Sequence, residues 1–296
     1  MNVQNGEPHL REAIDSVVAQ TLPDWELILW DDHSTDESAA IVASYQDQRI
    51  RYFFAPRNTL LGTARKLAMR QASGEWLAFL DQDDIWYPDK LEKQMARIDA
   101  MPDAGLIYGR TVVFSESGQQ RDFDHRHEYQ ALPEGDIFER LFVDSCFISM
   151  SSAAIRRSVL DDIEEIPDAY EIIPDYYLFV EVARRRPAAA VQDVVCRYRV
   201  HALNMSHSSR GRMHREVLQL IERCSDDLPA PIVRRRQHIH ATVLAWDELH
   251  DRSTLLQGSL RLVREGSLVF LFTRPFARLF RSMRRIVQAP YWKKHG

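Results

Sequence analysis

Cysteine is scarce in this chain. Cys146, Cys196 and Cys224 are the only three in 296 residues, far apart and without a CxxC pair. Their spacing excludes a disulfide framework, argues against a zinc site and fits a reducing compartment. A charged-then-apolar leader is also absent, and no apolar run approaches the ~18 residues needed to cross a bilayer. Runs such as Leu268 to Phe272 stop far short of that. The main body of the chain is therefore expected in the cytoplasm. Positive charge is in deficit, with 38 Lys and Arg against 43 Asp and Glu, and it is unevenly placed. From Arg252 to Gly296 ten basic residues face one acid, Glu265, which leaves 28 basic and 42 acidic side chains in the preceding 251 residues. An acidic body repels nucleic acid, so no nucleic-acid partner is expected; the basic tail attracts anionic surfaces. The apolar share of 45% is ordinary for a folded protein. The length holds one α/β domain of roughly 200 residues plus an appendage.

What the chain does have is a concentrated acidic stretch, EWLAFLDQDDIWYP, from Glu75 to Pro88. Glu75 to Leu80 reads as a short buried strand, bounded by Gly74, and apolar runs of this length suit the interior of a parallel sheet. Asp81, Asp83 and Asp84 follow at its carboxyl end, where ligands of open α/β sheets bind. Carboxylates crowded together repel one another and are costly to desolvate unless a cation joins them. Mg²⁺ and Mn²⁺ prefer such oxygen ligands and share themselves with substrate phosphates. Taken alone, a DxD is more often a solvated acidic turn ahead of a helix.

The segment FLDQDDIWYPDKLEKQ resembles the DxD region of glycosyltransferase family 2, inverting nucleotide-sugar transferases with a GT-A-type fold. Further matches follow the family's order over residues 3 to 206. Val3 to Glu7 resembles the end of the family's opening turn, with Gln4 where an aromatic is common, and the strand before it is expected to be missing. Trp25 to Trp30 reads as a buried strand running into Asp31-Asp32-His33-Ser34, similar to the family's base-recognition turn; Asp32 is then expected to accept from the ring N–H of a uracil-like base. Ser34 and Glu37 also form an S-x-x-E pattern that predicts a capping box opening a helix over 35–45. Leu61-Gly62-Thr63-Ala64-Arg65 resembles a family segment whose arginine offers a forked donor to the diphosphate, although Arg65 could equally be a surface residue of a helix over 63–72. Lys66 stands where the family has asparagine.

Cys146 to Arg156 predicts a strand of small residues; a similar family segment lines the acceptor side. Ile172 to Phe179 resembles the family's Glu-Asp motif, with Asp175 at the catalytic-base position and Pro174 replacing the usual glutamate. An acid in the first turn of a helix is also favourable for the helix dipole alone. Tyr198-Arg199-Val200-His201 resembles the family's Tyr-Arg-x-His ending, whose histidine approaches the metal or the diphosphate. His125 and His127 are spaced like ligands on a strand, but a solvated loop explains them better.

The resemblance implies an α/β fold, a GT-A-type, Rossmann-like mixed sheet sandwiched by helices, over 1–206, followed by a helical extension over 207–296. It implies a nucleotide-sugar site of Asn5, Asp32, Arg65, Asp81, Gln82 and Asp83, Mg²⁺ or Mn²⁺ on Asp83 and His201, and Asp175 as general base. The partners implied are a UDP-sugar donor and a glycan or lipid-linked acceptor. No QxxRW-type sequence is present, which fits single additions. Beyond Ser206 the family pattern stops; Met213 to Cys224 and Ile232 to Leu249 predict helices. From Pro275, apolar Phe276, Leu279, Phe280, Met283, Ile286 and Val287 share a helical face among arginines, a pattern suited to a peripheral membrane anchor or to packing on the catalytic domain or a second subunit. Pro174, Lys66 and the missing strand keep open a non-catalytic scaffold of the same fold.

Overall fold

A computed structural model describes residues 1–115, 120–122, 130–163, 166–201 and 209–250. His125, His127, Asn204, Ser206 and the basic segment from Pro275 lie outside the described residues. The chain divides into two compact units, Met1–Ser209 and the part from Arg210 onward.

The first unit is built on two sheets. Strands β1 (Asn2–Val3), β2 (Leu27–Asp31) and β3 (Ile50–Phe54) form a parallel sheet in the order β1-β2-β3. The strand expected to be missing before Val3 is thus present in short form, two residues paired with Trp30 and Asp31. β2, LILWD, is apolar on both faces and almost wholly buried, as a central parallel strand must be. The second sheet is mixed and runs β4 (Trp76–Ala78), β8 (Ala154–Arg156), β6 (Leu106–Ser115), β9 (Ala188–Val200), β5 (Ile85–Trp86), with β7 (Gln120–Asp122) paired to β6. Among the described residues, β6 with β9 is its one parallel pairing. β9, thirteen residues long, matches the predicted strand from Ala188 to Val200.

Helices cover these sheets. The helix α1 (Leu10–Val18) packs on β5 and on α2 (Ser38–Ala43), α3 (Leu61–Gln71) lies on β1 and β2, and α4 (Lys90–Ala100) lies on β6 and β9. Further along come α5 (Phe138–Val143), α6 (Arg157–Asp161) and α7 (Pro174–Ala183), the last packed on α5 and β6. α7 is buried at every position except Asp175, which explains why PDYYLFVEVA shows no polar stripe. The second unit contains α8 (Arg210–Arg223) and α9 (Ala230–His250). Between them His214 and His240 share an Nδ1–Nδ1 hydrogen bond of 2.8 Å.

Two local expectations are corrected. The helix after β2 begins at Ser38, with no side-chain cap. Ser34 does not cap it because its hydroxyl accepts from the Asn5 N–H, 2.9 Å away, so the S-x-x-E pattern serves a tertiary contact. The stretch from Cys146 is not a continuous strand. Met150–Ser152 forms a 3-10 turn and only Ala154–Arg156 is strand. Serine hydroxyls offer the backbone local partners that compete with a ladder, and Ser152 Oγ donates to Ser149 O at 2.9 Å.

Lys90 is fully buried at the start of α4, with its Nζ 2.6 Å from Gln94 Oε1 and 4.1 Å from the Trp86 ring centroid. Burial drives its pKa down to about 7, opposed by the Cys196 thiol. A lysine with a depressed folded-state pKa releases its proton on folding, so stability rises as pH climbs from about 7 towards the unfolded value near 10.4. The thermal midpoint of wild type should therefore gain on that of Lys90→Met between neutral and alkaline pH. Parallel profiles would mean the amine is solvated in the folded protein and keeps an ordinary lysine pKa.

Candidate active site

The site sits at the carboxyl ends of β2, β4 and β9. Backbone after β4 turns back on itself with Asp84 N–H donating to Asp81 O at 3.2 Å, which sends the three carboxylates in different directions. Asp81 Oδ1 accepts from Arg65 Nη2 at 3.0 Å. Asp83 Oδ2 lies 2.8 Å from His201 Nε2. Asp84 is completely buried; its Oδ2 accepts from Ser151 Oγ at 2.5 Å and its Oδ1 from the Arg199 N–H at 2.9 Å. The spacing in the sequence makes these acids look equivalent, but their surroundings separate two partly exposed carboxylates from a buried one that holds the turn.

Electrostatics follow the geometry. Burial raises the pKa of Asp83, Asp81 adds to the rise, and the His201 contact opposes it. Asp84 is pushed well above the ordinary range by burial and by its two acidic neighbours, against the donors Ser151 and Arg199. Crowded, partly desolvated carboxylates of this kind are what a divalent cation relieves. Among the described residues no cluster of three or more His, Cys, Asp or Glu side chains surrounds one point. The carboxylate of Asp83 and the imidazole of His201 nevertheless converge, and an oxygen-plus-imidazole pair suits Mn²⁺ or Mg²⁺ if substrate oxygens complete the shell.

Arg65 is buried rather than a surface residue of its helix. Gly62, one turn earlier on α3, explains this: a Cβ there would stand 3.2 Å from Ile166 Cγ2 and 3.7 Å from Pro174 Cβ. The close approach brings α3 against the start of α7. As a result the Arg65 charge acts on Asp175 as well as on Asp81. Among the described residues the only hydrogen bond of the Arg65 guanidinium is the one to Asp81. Asp175 lies at the first turn of α7, and its Oδ1 accepts from the Tyr176 N–H at 2.8 Å. Burial of the carboxyl raises its pKa, Arg65 and the Tyr176 N–H hold it back, and Asp81 adds to the rise. Pro174, which departs from the family motif, is the residue Gly62 packs against.

Asp32 is buried at the end of β2. Its Oδ2 accepts from Asn58 Nδ2 at 3.0 Å and from the Thr59 N–H at 2.8 Å, and its Oδ1 accepts from Thr59 Oγ1 at 2.9 Å. The neighbouring Asp31 is structural, accepting from the Ser34 N–H and from Tyr52 Oη, both at 2.7 Å. Asn5 has φ 51°, and its Oδ1 accepts from the Thr35 N–H at 2.8 Å, which ties the first turn of the chain to the loop after β2. Gln82 reaches the same turn: its Oε1 accepts from the Gln4 N–H at 2.7 Å, and its Nε2 donates to Gln4 O at 3.1 Å. Gly6 permits this, since a Cβ there would stand 2.8 Å from Gln82 Oε1. Asp81, Arg65 and Asp175 therefore form one electrostatic group and Asp83 with His201 its neighbour, while Asn5 and Gln82 bond to main-chain and loop partners. Residues not singled out by the sequence are Ser151, Asn58, Thr59 and Glu12, which pairs with Arg199. No short pattern signals them.

A mixed α/β domain with an acidic turn and a basic side chain at its strand ends is the architecture of a GT-A-type glycosyltransferase. The chain belongs to Glycosyl transferase family 2, whose family model matches residues 1–164. It is similar to the Escherichia coli UDP-Glc:alpha-D-GlcNAc-diphosphoundecaprenol beta-1,3-glucosyltransferase WfgD, with 26% identity over 216 residues, 72% of this chain and 80% of that enzyme. It is 40% identical over 93 residues to the putative teichuronic acid biosynthesis glycosyltransferase TuaG of Bacillus subtilis (31% of this chain, 37% of that one). Among solved structures it resembles Staphylococcus aureus TarS 1-349 in complex with UDP-GlcNAc, with TM-score 0.64, 19% identity and coverage of 82% of this chain and 69% of that chain. The mannosyltransferase PcManGT of Pyrobaculum calidifontis, in complex with GDP-Man and Mn²⁺, matches with TM-score 0.62 and 18% identity over 98% of this chain and 79% of that one. Among the described residues no helix is long and apolar enough to cross a membrane.

Proposed function

We propose that this chain is an inverting, metal-dependent transferase that moves a sugar from a UDP-type donor to a hydroxyl of a lipid-linked or polysaccharide acceptor. The observation that carries this reading is Arg65, a buried guanidinium with one hydrogen bond to Asp81 whose charge also acts on Asp175. A buried cation with unused N–H groups beside an acidic turn is an anion site, and a leaving diphosphate supplies the anion. When bound, a divalent ion at Asp83 and His201 would neutralise charge gathering on that diphosphate. Asp175 takes the proton of the acceptor hydroxyl as it attacks, and a carboxylate suffices because the hydroxyl becomes acidic only as the bond forms. One base facing one leaving group means a single displacement, with inversion at the sugar carbon. The lipid-linked acceptor class is supported by WfgD, whose name specifies a diphosphoundecaprenol-linked sugar.

Asp32 supports a particular class of base. A carboxylate has about four acceptor positions, and three are filled by Asn58 and Thr59. The remaining one, on Oδ1, suits a single ring N–H, as in uracil or thymine. Guanine presents two adjacent donors on its recognition edge and would leave one unmatched. With Mn²⁺ present, UDP or dTDP should raise the thermal midpoint by several degrees at saturation, and GDP much less. An equal or larger shift with GDP would remove Asp32 as the discriminating group.

A further inference from the structure

We propose that Ser151 is the positioning residue of the Asp81–Asp84 turn, the side chain that fixes where Asp81 and Asp83 point. Ser151 and Arg199 hold this turn from opposite sides. It runs between two very short strands, β4 and β5, and has one long internal bond, 3.2 Å from Asp84 N–H to Asp81 O. Ser151 bridges its two ends with a single hydroxyl. Oγ accepts from the Asp81 N–H at 3.0 Å and donates to Asp84 Oδ2 at 2.5 Å. A hydroxyl has one proton to give, and here it goes to a carboxylate with no solvent exposure. The opposite side of the turn is held by Arg199, whose Nε donates to Asp83 O at 2.8 Å and whose backbone N–H donates to Asp84 Oδ1. Fixed at Asp81, at the Asp83 carbonyl and at Asp84, the backbone leaves the Asp83 carboxylate to face His201.

The seat that carries Ser151 is itself anchored. Ser151 O accepts from Trp86 Nε1 at 2.7 Å, just beyond the turn it supports. Ser152 O accepts from Gln94 Nε2 at 2.9 Å, and Ser149 Oγ lies 2.7 Å from Thr111 Oγ1 on β6. All three serines are buried. The small residues that the family resemblance associates with the acceptor side thus form a hydrogen-bonded support for the acidic turn. Ser151→Ala would strand the buried Asp84 Oδ2 and the part-buried Asp81 N–H, and such losses are felt locally.

The proposal rests on the donor-site reading for its consequence in binding, but not for its consequence in the turn. The test compares full-length wild type, Ser151→Ala and Ser151→Thr by amide hydrogen exchange and by UDP binding across a Mn²⁺ titration. In Ser151→Ala, amides over 81–86 should exchange about tenfold faster while β6 and β9 keep their protection. The Mn²⁺ concentration giving half-maximal UDP binding should rise by about tenfold, with UDP affinity in chelator unchanged. Threonine, which keeps the hydroxyl, should restore both. Unchanged exchange over 81–86 in Ser151→Ala would overturn the proposal. Loss of protection across the whole unit would overturn it too, by making Ser151 a general core residue. Should wild type itself show no Mn²⁺-dependent UDP binding, the donor-site reading fails, and the exchange pattern still decides for or against Ser151.

Discussion

Replacing Asp175 with asparagine lowers turnover by about 10²–10⁴-fold, the usual worth of a general base, while nucleotide binding is retained. The side chain stays at the first turn of α7 and keeps a carbonyl oxygen for the Tyr176 N–H, so geometry is preserved. What disappears is the carboxylate proposed to accept the acceptor's proton. The pH profile gives a second readout. Burial and Asp81 raise the pKa of Asp175 against Arg65, so the acid limb of the wild-type rate profile falls above the ordinary carboxylate range. Stability moves the opposite way. A carboxyl whose folded-state pKa is raised favours the folded state when protonated, and this contribution is lost as pH rises through the folded value. At neutral pH the asparagine variant should therefore melt at or above the wild-type temperature. A purely helix-capping acid would behave differently, losing about 0.3–1 kcal/mol of stability on neutralisation and leaving turnover alone. Comparing kcat and thermal midpoint in the same two proteins decides between these roles.

Replacing Asp83 with alanine should abolish the metal dependence of nucleotide binding. Asp83 and His201 are the pair that converges on one point beside Asp81. Removing the proposed ligand should exceed the 10–100-fold loss typical of removing a supporting group, so about 100-fold or more is expected in Mn²⁺ affinity. The measurement is the free Mn²⁺ electron paramagnetic resonance signal in the presence of UDP, which wild type should quench and Asp83→Ala should not. In metal-free buffer the same variant should be no less stable than wild type. Its carboxylate raises the pKa of Asp84 by repulsion, and removing it relieves that repulsion. Equal quenching by both proteins would move the metal site elsewhere.

Much of this arrangement was legible in the chain itself because the signals were local. Apolar runs ending in acids marked β2 and β4, and the proline before Asp175 marked the first turn of α7. The parts that were not legible depend on contacts distant in sequence. Arg65 reads equally well as a surface residue because nothing near it reports Gly62 pressed against Pro174 and Ile166. Asp81, Asp83 and Asp84 look alike until Ser151 and Arg199 claim Asp84. Ser34 looks like a helix cap because the rival donor, the Asn5 N–H, lies 29 positions away. Serines from 149 to 152 look like a strand because their partners are spread over Thr111, Asp84 and Gln94.

Arg65 and the acidic turn are proposed to form one metal-assisted diphosphate site. This is tested most directly by calorimetric titration of UDP into wild type and Arg65→Met, each in Mn²⁺ and in chelator. One UDP per chain is expected to bind in Mn²⁺, with binding greatly weakened in chelator and again in Arg65→Met. UDP binding that is the same in all four titrations, or absent in wild type with Mn²⁺, would contradict it.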